Sequence, residues 1–166
     1  MTFFRSLLMI VPLVGLASPP QSLHAEEPAL TGTWRLKSFV REVAGTGERY
    51  NQLGDHPEGV LGYSKDGRMY AILLAGDRVK PGSEGPTDSE RLALYNSMIA
   101  YAGTYTIDGG KVVHHVDLSW NGARAGGDQV RFFTLEGDIL TIKTAPNKSP
   151  IDGREGVGVL IFERIQ

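Results

Sequence analysis

The stretch TGTWRLKSF, residues 31–39, contains a glycine, one residue, a tryptophan and then an alternation of apolar and charged side chains. Such alternation is typical of a β-strand with one buried face. We predict a strand over residues 32–43. One face would carry Trp34, Leu36, Ser38 and Val40, and the other Arg35, Lys37, Phe39 and Arg41. The tryptophan, the largest side chain of this strand, then needs packing partners from elsewhere in the chain.

Turn residues divide the rest of the chain into short apolar segments. The dipeptide Asp66-Gly67 lies between two such segments and is a strong hairpin signal, because glycine tolerates the positive φ of tight turns. Similar turns occur at 108–110 and 136–138. Further strands are expected at residues 59–64, 68–76, 103–107, 111–120, 129–135, 139–144 and 157–165.

One helix is expected between the third and fourth strands. Thr87 and Glu90 have the spacing of a capping box, in which each residue satisfies a backbone N–H near the helix start. Gly103 is the expected end of the helix. The predicted apolar stripe consists of Leu92, Tyr95, Ile99 and Ala102.

These elements predict an all-β fold, namely an eight-stranded antiparallel up-and-down β-barrel with one α-helix inserted between strands 3 and 4. A β-sandwich is the alternative. Closure of the sheet removes exposed strand edges, which a chain without disulfides would otherwise have to protect. The interior of an eight-stranded barrel just fits side chains or one small ligand.

The first 25 residues have the features of a secretory signal peptide. Arg5 precedes the apolar run SLLMIVPLVGLAS, and Ala25 is a plausible small residue at the cleavage site. The run is shorter than the ~20 residues that span a bilayer, although an N-terminal anchor is the alternative. We expect a periplasmic or secreted protein, cleavage after Ala25, no stable membrane anchor after leader removal, and one domain over residues 26–166.

Composition argues against several kinds of partner. The net charge is −2 and there is no basic run, so no nucleic-acid partner is expected. The chain has no cysteine, which removes thiolate chemistry. Adjacent histidines on a strand, such as His114 and His115, point to opposite faces and do not readily share one ion. We therefore expect no metal site and no cofactor.

Five segments resemble the lipocalin-like domain family of bacterial and fungal proteins: LTGTWRLKSF, PEGVLGYSKDGRMYA, AYAGTYTIDGGKVVHHVDLSW, RFFTLEGDILTIKT and the late FER. The resemblance implies a barrel with a small-molecule cavity, without an agreed ligand or reaction. It also implies that Gly32, Trp34 and Arg164 close the barrel, with the arginine lying across the indole. Such stacking contributes ~0.5–2 kcal/mol. The expected helix position departs from that of secreted lipocalins, where the helix follows the eighth strand.

The orientation of two strands decides which polar groups face the cavity. In residues 111–120, the simple interpretation places the face with His114 and Val116 inside and His115 in water. In the alternative, His115 and Asp117 face inward. Arg131 is either outward and solvated, or inward, where its planar fork would suit a carboxylate or phenolate ligand.

Aromatic side chains with one polar tip, together with flexible methionines, are typical of ligand pockets. The candidate ligand-binding residues are Tyr63, Met69, Tyr70, Tyr101, Tyr105, His115, Asp117, Arg131 and Phe133. The leading functional hypothesis is a secreted or periplasmic protein that binds a small lipophilic or aromatic ligand. One alternative is an isomerase or cyclase with acid–base chemistry on His115 and Asp117. The other is a non-catalytic interaction domain with a solid core.

Overall fold

The computed structural model describes residues 30–165. Within this range there are ten strands and one helix, α1, at Asp88–Asn96. The strands are β1 Gly32–Val43, β2 Arg49–Asn51, β3 Glu58–Tyr63, β4 Arg68–Leu74, β5 Met98–Asp108, β6 Lys111–Ser119, β7 Asp128–Glu136, β8 Ile139–Thr144, β9 Asn147–Lys148 and β10 Glu155–Arg164. The predicted signal peptide, residues 1–25, lies outside the described residues.

The eight long strands close into a barrel. Each pairs antiparallel with its neighbour in the order β1-β3-β4-β5-β6-β7-β8-β10, and β10 pairs back to β1. The short strands β2 and β9 extend the sheet beside β1 and β10. The predicted eight-stranded antiparallel barrel is therefore confirmed, and it is closed rather than split into a sandwich. The helix follows β4, which is the third of the eight long strands.

A β-bulge changes which residues of β1 face inward. The register with β10 shifts between Leu36 and Ser38, so one extra residue is inserted and the alternation reverses beyond it. Trp34 and Leu36 are buried before the bulge, whereas Phe39 and Arg41 are buried after it. The expected continuous alternation is thus wrong in the second half of the strand, and the bulge brings Arg41 into the interior.

The helix is shorter than predicted. Its capping box is present: the Glu90 N–H donates to Thr87 Oγ1 at 3.3 Å, and the Thr87 N–H donates to Glu90 Oε2 at 2.7 Å. However, α1 ends at Asn96, and Ile99 and Ala102 belong to β5, where they pair with β4. No residue of α1 is buried. The helix of residues 30–165 is too short and too polar to cross a membrane.

The two ends of the barrel differ because consecutive strands run in opposite directions. Tight turns at 64–67, 109–110 and 137–138 connect strands at one end. The long connections, residues 44–57, 75–97, 120–127 and 145–154, all lie at the other. We call these the closed end and the open end.

Trp34 fills the closed end. Its side chain is fully buried, and its Nε1–H donates to the Leu30 carbonyl at 2.9 Å. The Arg164 guanidinium carbon lies 4.0 Å from the indole ring centroid, and Nη1 donates to the Thr31 carbonyl at 2.8 Å. Gly32 has φ of 134°, and a Cβ there would lie 2.8 Å from Arg164 Nη1. The glycine therefore provides the space in which the arginine covers the tryptophan.

Candidate functional site

A narrow cavity lies inside the barrel toward the open end. Its volume is about 50 Å³, taken as the space open to the centre of a water molecule, which is room for roughly three or four waters. Most of its wall is apolar: Phe39, Leu61, Ala71, Leu73, Ile99, Ile142, Pro150, Leu160 and Phe162. The polar wall consists of Arg41, Tyr101, His114, Arg124, Arg131, Thr144 and Asn147.

Three guanidinium groups line the cavity, and each belongs to a different part of the fold. Arg41 faces inward because of the bulge in β1. Arg131 is an inward residue of β7, opposite Thr144 of β8, and is 8% exposed. Arg124 lies in the β6–β7 connection at the open end. The inward orientation of Arg131 is one of the two left open by the sequence.

Arg41 is held by backbone carbonyls of the open end. Its Nη2 donates to the carbonyl oxygens of Arg154 at 3.0 Å and Gly156 at 3.3 Å, and closely to that of Asn147. Its buried Nε has no hydrogen-bond partner within residues 30–165. Burial lowers the pKa of Arg41, while Tyr50 and Asp152 act in the opposite direction. Arg41 therefore fixes the loop before β10 across the open end.

Arg124 and Arg131 share one neutral acceptor. Gln129 Oε1 accepts from Arg124 Nη1 at 2.6 Å and from Arg131 Nη2 at 3.3 Å, and Arg131 Nη1 donates to the Val130 carbonyl at 2.9 Å. Among the described residues, no carboxylate forms a salt bridge with either arginine. Burial lowers the pKa of Arg124, and the charge of Arg131 lowers it further. Since a guanidinium has five N–H donors, most donors of this pair remain available.

A buried chain of three polar rings runs beside the arginines. The Tyr63 hydroxyl is hydrogen-bonded to His114 Nε2 at 2.7 Å, and the Tyr101 hydroxyl to His114 Nδ1 at 3.0 Å. Burial, with the nearby charge of Arg131, lowers the pKa of His114 to about 3. Burial also raises the pKa of Tyr63 well above its usual value. At neutral pH the His114 and Tyr63 rings are therefore uncharged.

Three of the sequence-predicted site residues lie on the outer surface. His115 Nδ1 contacts Asp128 Oδ1 at 2.7 Å and its Nε2 contacts Thr106 Oγ1 at 3.1 Å. Asp117 accepts from Arg68 Nη1 at 3.0 Å, and Tyr70 is 40% exposed. The placement of His115 and Asp117 in the cavity is wrong, because β6 turns His114 and Val116 inward. The hypothesis of acid–base catalysis by His115 and Asp117 required both side chains to face the cavity, and neither does.

The other predicted residues lie inside the barrel, but only two reach the cavity wall. Tyr101 and Arg131 line it. Met69 is buried in the core, and Phe133 packs against that core. Tyr105 is buried against the Tyr63 ring at 4.8 Å, with its hydroxyl donating to the Ser64 carbonyl at 3.0 Å.

Sequence reasoning missed Arg41 and Arg124 as cavity residues. Simple alternation placed Arg41 opposite Trp34, and nothing in that strand marks the bulge that reverses it. Arg124 lies in the glycine-rich run NGARAGGD, residues 121–128, which is typical of a solvated turn. The available signal was the absence of an acidic residue between Asn121 and Gly127, which leaves that arginine without a local partner.

No group of three or more histidine, aspartate or glutamate side chains in residues 30–165 is arranged to hold a metal ion. The cavity instead combines an apolar wall with a cationic, hydrogen-bonding side. Chemically, this arrangement accommodates a small anion whose remaining surface is apolar.

Similar proteins are found among solved structures and among protein families. Structures similar to this chain include a lipocalin-like protein from Bacteroides uniformis, with 16% identity and a TM-score of 0.41 over 82% of this chain and 98% of that one. Another is an uncharacterized protein from Bacteroides eggerthii, with 11% identity and a TM-score of 0.40 over 82% and 99% of the two chains. No curated protein matches the sequence. The model of the lipocalin-like domain family matches residues 31–165, from the start of β1 to the end of β10. The chain therefore belongs to the lipocalin-like domain family.

Proposed function

We propose that this protein binds a small apolar or aromatic molecule that carries one anionic group. The observation that supports this most strongly is the pair Arg124 and Arg131, which line an apolar cavity and share a neutral glutamine instead of a carboxylate. Buried charges in proteins are normally paired. A ligand anion would supply the missing partner.

Binding would draw on two contributions. The apolar part of the ligand would lose water against Phe39, Leu160 and their neighbours, at about 25 cal/mol per Å² before ordering costs. The anionic group would form charge-assisted hydrogen bonds with the guanidinium forks, each worth about 1.5–3 kcal/mol. The small volume of the cavity favours a ligand about the size of one aromatic ring.

A matched pair of probes tests the charge requirement. Benzoate and benzamide have nearly the same shape, but only benzoate is anionic. We expect benzoate to raise the Tm and to titrate in calorimetry, and benzamide to bind at least tenfold more weakly. Arg131→Met should lose benzoate binding, whereas Arg35→Met, an exposed change of the same kind on β1, should retain it.

The outcomes separate the hypotheses. Equal binding of both probes would contradict an anion site. Binding of neither probe to the wild-type protein would favour the alternative of an interaction domain with a filled core. Native mass spectrometry of protein purified from its own source adds an independent measurement, since a co-purifying anion would identify the natural ligand class.

We further propose that the protein is exported and acts outside the cytoplasm, as a carrier that sequesters its ligand. Support comes from the sequence of residues 1–25, with Arg5 before an apolar run and Ala25 at the cleavage position. The intact mass of protein from the periplasmic fraction tests this. The expected mass is that of a chain that begins at Glu26. Full-length protein in the cytoplasmic fraction would contradict export.

A further inference from the structure

We propose that the ligand's anionic group is a phenolate or enolate oxygen, and that Tyr101 donates its hydroxyl hydrogen to it. This inference rests on the proposed function, because it concerns the same cavity and narrows the chemical class of the ligand. It follows from the direction in which hydrogen bonds run through Tyr63, His114 and Tyr101.

The direction is set at the buried end of the chain. Tyr63 is 2% exposed, and its hydroxyl has His114 Nε2 as its one hydrogen-bond partner among residues 30–165. An O–H group left unsatisfied in the interior costs about 1–3 kcal/mol. Tyr63 therefore donates to Nε2, and Nε2 is the acceptor nitrogen of the imidazole.

The tautomer of His114 then fixes the direction of its hydrogen bond with Tyr101. His114 is 1% exposed and neutral, so one ring nitrogen carries hydrogen and the other does not. With Nε2 accepting, Nδ1 carries the hydrogen and donates it to the Tyr101 oxygen, 3.0 Å away. Tyr101 thus receives a hydrogen bond and keeps its own hydroxyl hydrogen free to donate.

The free hydrogen of Tyr101 lies beside the cationic side of the cavity. Tyr101 lines the cavity wall, and its hydroxyl has no second partner in the described part of the chain. Tyr101 also interacts electrostatically with Arg124, and this interaction raises the pKa of Arg124. A ligand anion at the arginines would therefore meet one hydroxyl donor in addition to the guanidinium N–H groups.

This set of donors suits an anion whose charge lies mainly on one oxygen. A carboxylate spreads its charge over two oxygens and is satisfied by the parallel donors of a guanidinium fork. A phenolate or enolate concentrates the charge on a single oxygen, where a preorganised hydroxyl adds most to its stabilisation. The Tyr101 hydrogen stays on its own oxygen in this contact, so no proton is transferred.

Two probes of matched size, 4-nitrophenol and 4-nitrobenzoate, test the proposal in the full barrel. At pH 8, wild-type protein should bind both, with 4-nitrophenolate recognised by its visible absorbance. Tyr101→Phe should weaken 4-nitrophenolate binding by at least tenfold and 4-nitrobenzoate by less than threefold. Tyr70→Phe, the same change on the outer surface, should leave both affinities unaltered.

Each result has a defined meaning. Wild-type binding of neither probe contradicts the proposed function itself. Wild-type binding of 4-nitrobenzoate alone, or an equal effect of Tyr101→Phe on both probes, overturns this inference and leaves an anion site in place. The tautomer of His114 gives a readout that needs no ligand and no variant: ¹⁵N NMR should show hydrogen on Nδ1, and hydrogen on Nε2 would overturn the proposed direction.

Discussion

Replacing Gly32 with alanine should destabilise the barrel more than replacing any open turn glycine. At φ of 134° the backbone is nearly restricted to glycine, and an alanine there costs about 1–3 kcal/mol. The new Cβ would also lie 2.8 Å from Arg164 Nη1, so the guanidinium must leave its position over Trp34 and lose ~0.5–2 kcal/mol of stacking. Together these effects amount to about 2–4 kcal/mol.

Chemical and thermal denaturation measure this cost. For a domain of this size, 1 kcal/mol corresponds to roughly 3–4 °C, so we expect Gly32→Ala to lower the Tm by about 6–16 °C. Gly137→Ala is the matched control: its φ is also positive, at 58°, but no atom lies within 4 Å of the added Cβ. The control should cost only the backbone strain, about 1–2 kcal/mol.

A double-mutant cycle identifies the arginine as the cause. In an Arg164→Met background the added Cβ no longer displaces a guanidinium, so Gly32→Ala should cost less there by about 0.5–2 kcal/mol. The same cost in both backgrounds would refute the idea that Gly32 is required for the arginine to cover the tryptophan. A cost below that of Gly137→Ala would refute the strain argument as well.

Three other perturbations separate the fold from the cavity. The folded-state pKa of His114, about 3, lies below the ordinary 6.5, so the unfolded chain binds the extra proton and stability should fall by about 1.4 kcal/mol per pH unit from pH 6.5 toward 3. Urea denaturation of His114→Gln should lack this slope, and parallel pH curves would contradict a neutral buried imidazole. Arg131→Met should stabilise the ligand-free protein by about 1–2 kcal/mol, because it removes a buried charge without a carboxylate partner; a loss of stability in urea would show that the guanidinium is structural. Thr87→Ala should cost α1 about 1 kcal/mol, seen as faster amide hydrogen exchange. Because α1 buries no residue, the barrel's Tm should change by less than about 2 °C, and a larger change would contradict a peripheral helix.

The strand order of the barrel could be predicted because the residues of its tight turns are recognisable in the sequence. Asp66-Gly67 and the turn at 108–110 mark hairpins directly, and hairpins in sequence produce an up-and-down sheet. The extent of α1 could not be predicted. Ile99 falls on the stripe of a continuing helix, but it would also share one face of a strand with Tyr101, two residues later. Only the pairing of β5 with β4 decides between these two periods.

The polar side of the cavity was predictable only in part. Because side chains alternate between the two faces of a strand, His114 and Arg131 could each face either inward or outward. The register of their strands places both inward. Arg41 required knowledge of the bulge, which depends on how β1 meets both β3 and β10. Placing Arg124 at the cavity required knowledge of the path of the connection between β6 and β7. Sequence periodicity carries information on faces within one element, whereas the cavity is assembled between elements.

The bulge in β1 changes the chemistry of the interior between the closed end and the open end. Before it, Trp34 and Leu36 face inward and fill the closed end with apolar volume, which stabilises the fold. After it, Phe39 and Arg41 face inward, and the same strand contributes a charge whose burial is unfavourable without a partner. A strand without the bulge would turn Val40 inward and leave Arg41 outside the barrel. The structure instead holds two buried guanidinium groups, Arg41 and Arg131, and the half-buried Arg124 toward the open end, an arrangement that suits the anion binding we propose.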